Sequence, residues 1–167
     1  ITQAANAGAA TFSTGTGVIT LTNASNDFTG SVALNSTGAT VAITDTNALV
    51  FGASTLGSGT LSVNAVGITQ SGAITQAANA GTATFNAGAG VITLANVGND
   101  FTGLVALNST GATVAITDTT ALTLASPTLG ANTGITAIAG TTLSFSAFNL
   151  STGAGNIDFQ SQSGTIA

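Results

Sequence analysis

The chain has 167 residues and a formal net charge of −5 carried by five Asp, with no Lys, Arg, His, Cys, Met, Trp, Tyr or Glu. A mean hydropathy of +0.54, with 3% charged and 44% hydrophobic residues, is the reverse of the disorder signature of low hydrophobicity and high charge, so the chain is expected to fold. The lack of cations excludes nucleic-acid binding, which takes most of its affinity from phosphate neutralisation, and argues against anionic membrane surfaces; the lack of cysteine excludes a disulfide framework or thiolate metal site.

Along the chain, Gln3-Ala4-Ala5-Asn6-Ala7 is Ala-rich, but Gly8 follows it, which makes a loop a better reading than a helix. From there the apolar residues follow a period of two. Val18-Ile19-Thr20-Leu21-Thr22, Ser31-Val32-Ala33-Leu34-Asn35, Val41-Ala42-Ile43-Thr44, Ala48-Leu49-Val50-Phe51 and Leu61-Ser62-Val63-Asn64 read as short strands. The segments between them, such as Asn23–Asp27, Asn35–Gly38, Asp45–Asn47 and Leu56–Gly59, are rich in residues that make tight turns. No segment carries a helical i, i+3, i+4, i+7 stripe. No uninterrupted apolar run approaches the roughly 18 to 20 residues of a membrane helix, so no membrane insertion is expected.

Residues 1–60 return as residues 74–133 with 44 of 60 positions unchanged and no insertion. Such a register points to a solenoid. The expected organisation is a first unit over 1–73, a second over 74–146 that diverges after about 133, and the start of a further, divergent coil over 147–167. Comparable strand starts at Val18, Val41, Leu61 and Val91 suggest about three coils per unit, each roughly 20 to 25 residues long. The fold class is therefore all-β, a parallel β-helix of about seven coils and on the order of 30 to 35 Å long. A sandwich or antiparallel barrel fits a 73-residue unit less well. There is no initiator Met and no leader-like segment, so the sequence reads as a mature product or part of something longer.

Stacked coils place like residues above one another, where amides hydrogen-bond along the axis and rings pack inside. Asn23, Asn26, Asn35 and their counterparts Asn96, Asn99 and Asn108 are turn or ladder candidates. Asp27, Asp45, Asp100 and Asp118 join them as residues whose carboxylates cap turns by accepting backbone N–H groups. Phe12, Phe28, Phe85 and Phe101 are core candidates, each contributing roughly 1.5 to 3 kcal/mol on burial. Calcium is the alternative use of the carboxylates, but neither a GGxGxDxUx nonapeptide nor a DxDxDG loop is present. No cofactor is expected. Catalysis would have to rest on Asp alone, and four of the five Asp are repeat-related pairs where an active site is normally unique, so the chain does not read as an enzyme. Thr-x-Thr fragments such as Thr20-Leu21-Thr22 do not recur at coil spacing, which argues against ice binding. Asn-x-Ser/Thr sequons stand at Asn23, Asn35, Asn108 and Asn149.

The run NDFTGSVALNSTGATVAITDTNALVFG and its echo NDFTGLVALNSTGATVAITDTTALTLA, preceded by GVITLTNASNDF and GVITLANVGNDF, resemble the repeats of large secreted bacterial exoproteins. These are the filamentous-haemagglutinin-like and autotransporter-like adhesins. The closing segment TTLSFSAFNLSTGAGNIDFQSQSGTIA is similar in kind. The resemblance implies a right-handed parallel β-helix shaft, export across a Gram-negative outer membrane, an extracellular or cell-surface location, and a role in adhesion, aggregation or biofilm matrix. Two function classes follow. One is a structural, adhesive fibre that stacks end to end through uncapped coils, with cell-surface glycans or proteins as further partners. The other is a passive spacer in an adhesin whose binding head lies elsewhere. A polysaccharide-active β-helix enzyme is the weakest reading.

Overall fold

A computed structural model describes residues 1–150 and 155–167. Among them every regular element is a strand: β1 (Ala10–Ser13), β2 (Ile19–Leu21), β3 (Val32–Ser36), β4 (Val41–Thr44), β5 (Leu49–Phe51), β6 (Ser54–Leu56), β7 (Leu61–Asn64), β8 (Ile68–Gln70), β9 (Ile74–Gln76), β10 (Ala83–Asn86), β11 (Ile92–Leu94), β12 (Leu104–Ser109), β13 (Val114–Asp118), β14 (Leu122–Ala125), β15 (Thr128–Leu129), β16 (Ile135–Ala139), β17 (Leu143–Ser146) and β18 (Ile157–Ser161). The five strands read from alternation are all present, as β2, β3, β4, β5 and β7. The Ala-rich stretch near the N-terminus is a loop in which Asn6 takes a left-handed φ of 60°.

All the pairings between strands are parallel, and they build two sheets, one of ten strands and one of eight. The chain winds from one sheet to the other and back, so the protein is a β-solenoid of about seven turns. Alternation sets the interior: Val32, Leu34 and Ser36 of β3 are buried while Ala33 and Asn35 are only half-covered. Registers such as Val41↔Leu61 and Ile43↔Val63 stack inward residues in columns, so each rung covers the apolar face of the next. Where corners come together the backbones touch. A Cβ on Gly30 would strike the carbonyl of Gly8, and one on Gly103 would strike that of Gly81, so only glycine fits at these repeat-equivalent positions.

The stacking runs unbroken through the end of the first unit, because β7 pairs back to β4 and forward to β10. Between β3 and its repeat equivalent β12 the chain crosses from sheet to sheet seven times, so the unit spans three and a half turns where the spacing predicts about three. The difference lies in the 30 residues from Leu61 to Val91. They hold one and a half turns: β8 and β9 share one face, and β10 returns beside β7 before β11 begins. Hence β1, β3 and β2, β4 of the first unit reappear as β10, β12 and β11, β13 on the opposite sheets. Spin labels at Thr11→Cys and Thr84→Cys, repeat-equivalent outward positions of β1 and β10, should therefore project from opposite faces. Pulsed dipolar spectroscopy should give a separation well beyond the about 14 Å expected of three rungs on one face. A distance near that value would restore the integral repeat.

Candidate functional surface

The polar residues that recur between units sit mainly at the corners, and geometry sorts them into three roles. The first is a buried amide clamp. Asn99 is fully buried, and its Oδ1 accepts the Ile74 N–H at 2.9 Å while its Nδ2 donates to the carbonyls of Leu94 at 3.0 Å and Thr117 at 3.1 Å. Asn26 repeats this with Leu21 at 2.8 Å and Thr44 at 3.2 Å, and the N-terminal amine of Ile1 takes the place of the Ile74 N–H at 2.8 Å. One side chain thus ties three consecutive passes of the chain. In the second unit Gln70 adds two amide contacts to Asn99, at 2.8 and 2.9 Å.

The second role belongs to the carboxylates. Asp45 Oδ1 accepts the Phe28 N–H at 3.2 Å, and Asp118 Oδ2 accepts the Phe101 N–H at 2.6 Å. Each buried Asp therefore pins the backbone of the preceding coil just where its core phenylalanine enters. Burial pushes both carboxyls above the ordinary value; the backbone N–H groups pull the other way, and neighbouring Asp27 or Asp100 adds to the rise. In Asp45 the second oxygen is buried with no hydrogen bond, which leaves the desolvation uncompensated there. Asp27 and Asp100 are more open and receive a side-chain donor from the next coil, Asn47 Nδ2 at 2.9 Å and Thr120 Oγ1 at 2.9 Å.

Third are the local turns and the true ladder. Asn23 and Asn96 each close a short turn on themselves, accepting Ser25 N–H at 2.8 Å and Gly98 N–H at 2.9 Å. Asn108 forms a ladder: its Nδ2 donates to Asn86 Oδ1 at 2.7 Å, and Asn86 Nδ2 donates to Asn64 Oδ1 at 2.9 Å. Asn35 makes the corresponding contacts with Ser13 Oγ at 3.4 Å and Thr55 N–H at 3.1 Å, because Ser13 stands where Asn86 does in the second unit. Asn64, Asn86 and Gln70 escape the sequence reading. The equal 22-residue steps from Asn64 to Asn86 to Asn108 are the signal that marks the first two.

Inside, Phe28, Phe85 and Phe101 are fully buried, whereas Phe12 on the first rung is half-covered. Phe12 meets Phe28 edge-on at 6.0 Å, and Phe85 meets Phe101 the same way at 5.9 Å. Phe51 extends the second pair, lying 6.3 Å from Phe85 and bridging the two units. Near the C-terminus Phe145, Phe148 and Phe159 form a separate cluster, with centroids 4.5 to 5.9 Å apart. The Asn149 sequon ends on Ser151, which lies outside the described residues, as do residues 152–154 of the divergent last coil.

Repeats of unknown function, the family DUF5649, match residues 1–35 and 38–108, well over half of the chain. The chain belongs to this family. No curated protein and no solved structure matches it. As a DUF5649 protein it carries its polar chemistry as repeated staples between coils. Among the described residues no three Asp converge on a point and no ligand-sized cavity is present. Among the described residues, which form only strands and loops, no helix is long and apolar enough to cross a membrane.

Proposed function

We propose that this DUF5649 chain is a stretch of secreted, extracellular shaft that works as a structural and adhesive fibre without catalysis. The observation that carries the reading is the continuous rung-on-rung pairing across the unit boundary, β4 to β7 to β10 to β12. Each added unit of this kind lengthens a rod without adding a joint, which suits a protein that acts through reach and stiffness. The likeness of the repeats to exoprotein adhesins supports the extracellular, adhesive part of the proposal. A chain without lysine or arginine also offers trypsin-like proteases no cleavage site.

Among the described residues β1 pairs with β3 and β18 with β16, which leaves a strand edge at each end of the stack described. Such edges recruit further strands, and end-to-end stacking of copies is the mode of fibre growth that follows. Electron microscopy of the purified chain tests this. Long filaments with an axial spacing near about 4.8 Å are expected. Separate rods about 30 Å long would instead make the segment a passive spacer.

A further inference from the structure

None of the five Asp lies within a strand of the eight-stranded sheet, although Asp45 directly follows β4, where its N–H donates to the Asn64 carbonyl at 2.8 Å. Asp118 closes β13 and Asp158 lies on β18, both in the ten-stranded sheet, while Asp27, Asp45 and Asp100 lie outside the strands. The eight-stranded sheet, by contrast, has no charged residue in any of its strands. Its outward side carries the ladder Asn64–Asn86–Asn108 beside a column that includes Ser62 and Thr84. Asn86 and Asn108 each donate one of their two amide N–H groups along the column and Asn64 accepts at its end, which leaves donors and lone pairs for a facing amide. Low charge and stacked amides are the features with which identical sheets pair.

We propose that the eight-stranded face is a self-association surface through which two copies of this chain meet side by side, held apart at neutral pH by their negative charge and released when the Asp residues are neutralised. Seven rungs of four to five residues give a face of about 450 Å², so a pair buries about 900 Å², below the standard stable interface. An interface that small gives way to modest repulsion between charges close to it. Every copy carries −5 and no basic side chain, so the repulsion has no side-chain counter-ion within the protein.

Protonation of the two buried carboxyls is expected to favour the folded chain. Asp45 faces Asp27, and Asp118 faces Asp100, with no cationic side chain against either. Both are raised above the ordinary 3.8. A raised folded-state value means that protonation favours the folded form, a contribution fully present below the unfolded value and lost as pH rises through the folded one.

Sedimentation of the whole chain at pH 7.5 and at pH 2.5, below the ordinary carboxylate value of 3.8, supplies the test. Acid should raise the sedimentation coefficient at least to that of a paired species, with the β circular dichroism unchanged. The double variant Ser62→Lys, Thr84→Lys places cations on the eight-stranded face and should abolish the acid-induced increase. Thr69→Lys, Thr93→Lys adds the same charge to the ten-stranded face and should retain it. No increase at pH 2.5, loss of the β signal, or an equal response of the two variants would overturn the proposal; the last would assign association to the rod ends or to the other sheet.

Discussion

Phe85→Ala should cost about 3–5 kcal/mol and broaden or split the unfolding transition, whereas Phe12→Ala, in the same repeat context, should cost clearly less. Phe85 is fully buried between Phe51 of the first unit and Phe101 of the second. Truncation leaves a cavity bounded by rigid rungs above and below, and a backbone tied by parallel ladders on both sides collapses poorly into it. Phe12 follows the same Ala-Thr pair and has the same edge-on partner geometry, but β1 has a rung on one side only among the described residues. Because stability in a solenoid is close to a sum of nearest-neighbour terms, loss of the Phe51–Phe85–Phe101 contact should uncouple the two halves. Urea unfolding followed by circular dichroism and by protease susceptibility would show this. Equal costs for the two variants would mean that the aromatic column does not join the units.

The second large effect is expected at Asn99. Asn99→Ala strips the Ile74 N–H and the Leu94 and Thr117 carbonyls of a common buried partner, together with the Gln70 amide. An unsatisfied buried group costs about 1–3 kcal/mol, and a total of about 3 kcal/mol is expected once water reaches some of the freed groups. Asn99→Asp keeps an acceptor for Ile74 but loses both donors, and should be as damaging at neutral pH. Asn96→Ala removes only a local turn contact on the surface and should stay within about 0.5 kcal/mol. Hydrogen exchange at Ile74 gives a local readout: protection there should fall in Asn99→Ala and persist in Asn96→Ala. If Ile74 stays protected in Asn99→Ala, the clamp is not what holds the corner.

The two sites show why some features were legible in the sequence and others were not. The recurrence of NDF in both units, with Asp45 and Asp118 seventeen or so residues later, marks Asn26, Asn99 and the Asp–Phe staples as corner residues. Their partners come from other coils, and the choice of partner depends on which corner each pass of the chain occupies. Gln70 is one such residue: it lies in the unrepeated stretch before Ile74, so no duplicated motif points to it. The Asn64–Asn86–Asn108 ladder crosses the unit boundary, and a comparison of positions 73 apart cannot see contacts made at 22.

Composition and period determined the class of this protein. A charge-poor chain of alternating β-branched and small polar residues, repeated without insertion, buries one face of every strand and hydrates the other, and stacked parallel coils accomplish this for a unit of any length. The tertiary structure decided the phase. Alternation has a period of two and is blind to which sheet a strand joins, so the half turn in each unit, which carries β3 to one side and β12 to the other, arises from corner geometry. The pairings record it: β8 and β9 share one face, and β10 returns beside β7 before β11 begins. The same winding leaves the strands of one sheet without a charge, because a residue's side of the rod depends on accumulated turns and not on its immediate neighbours.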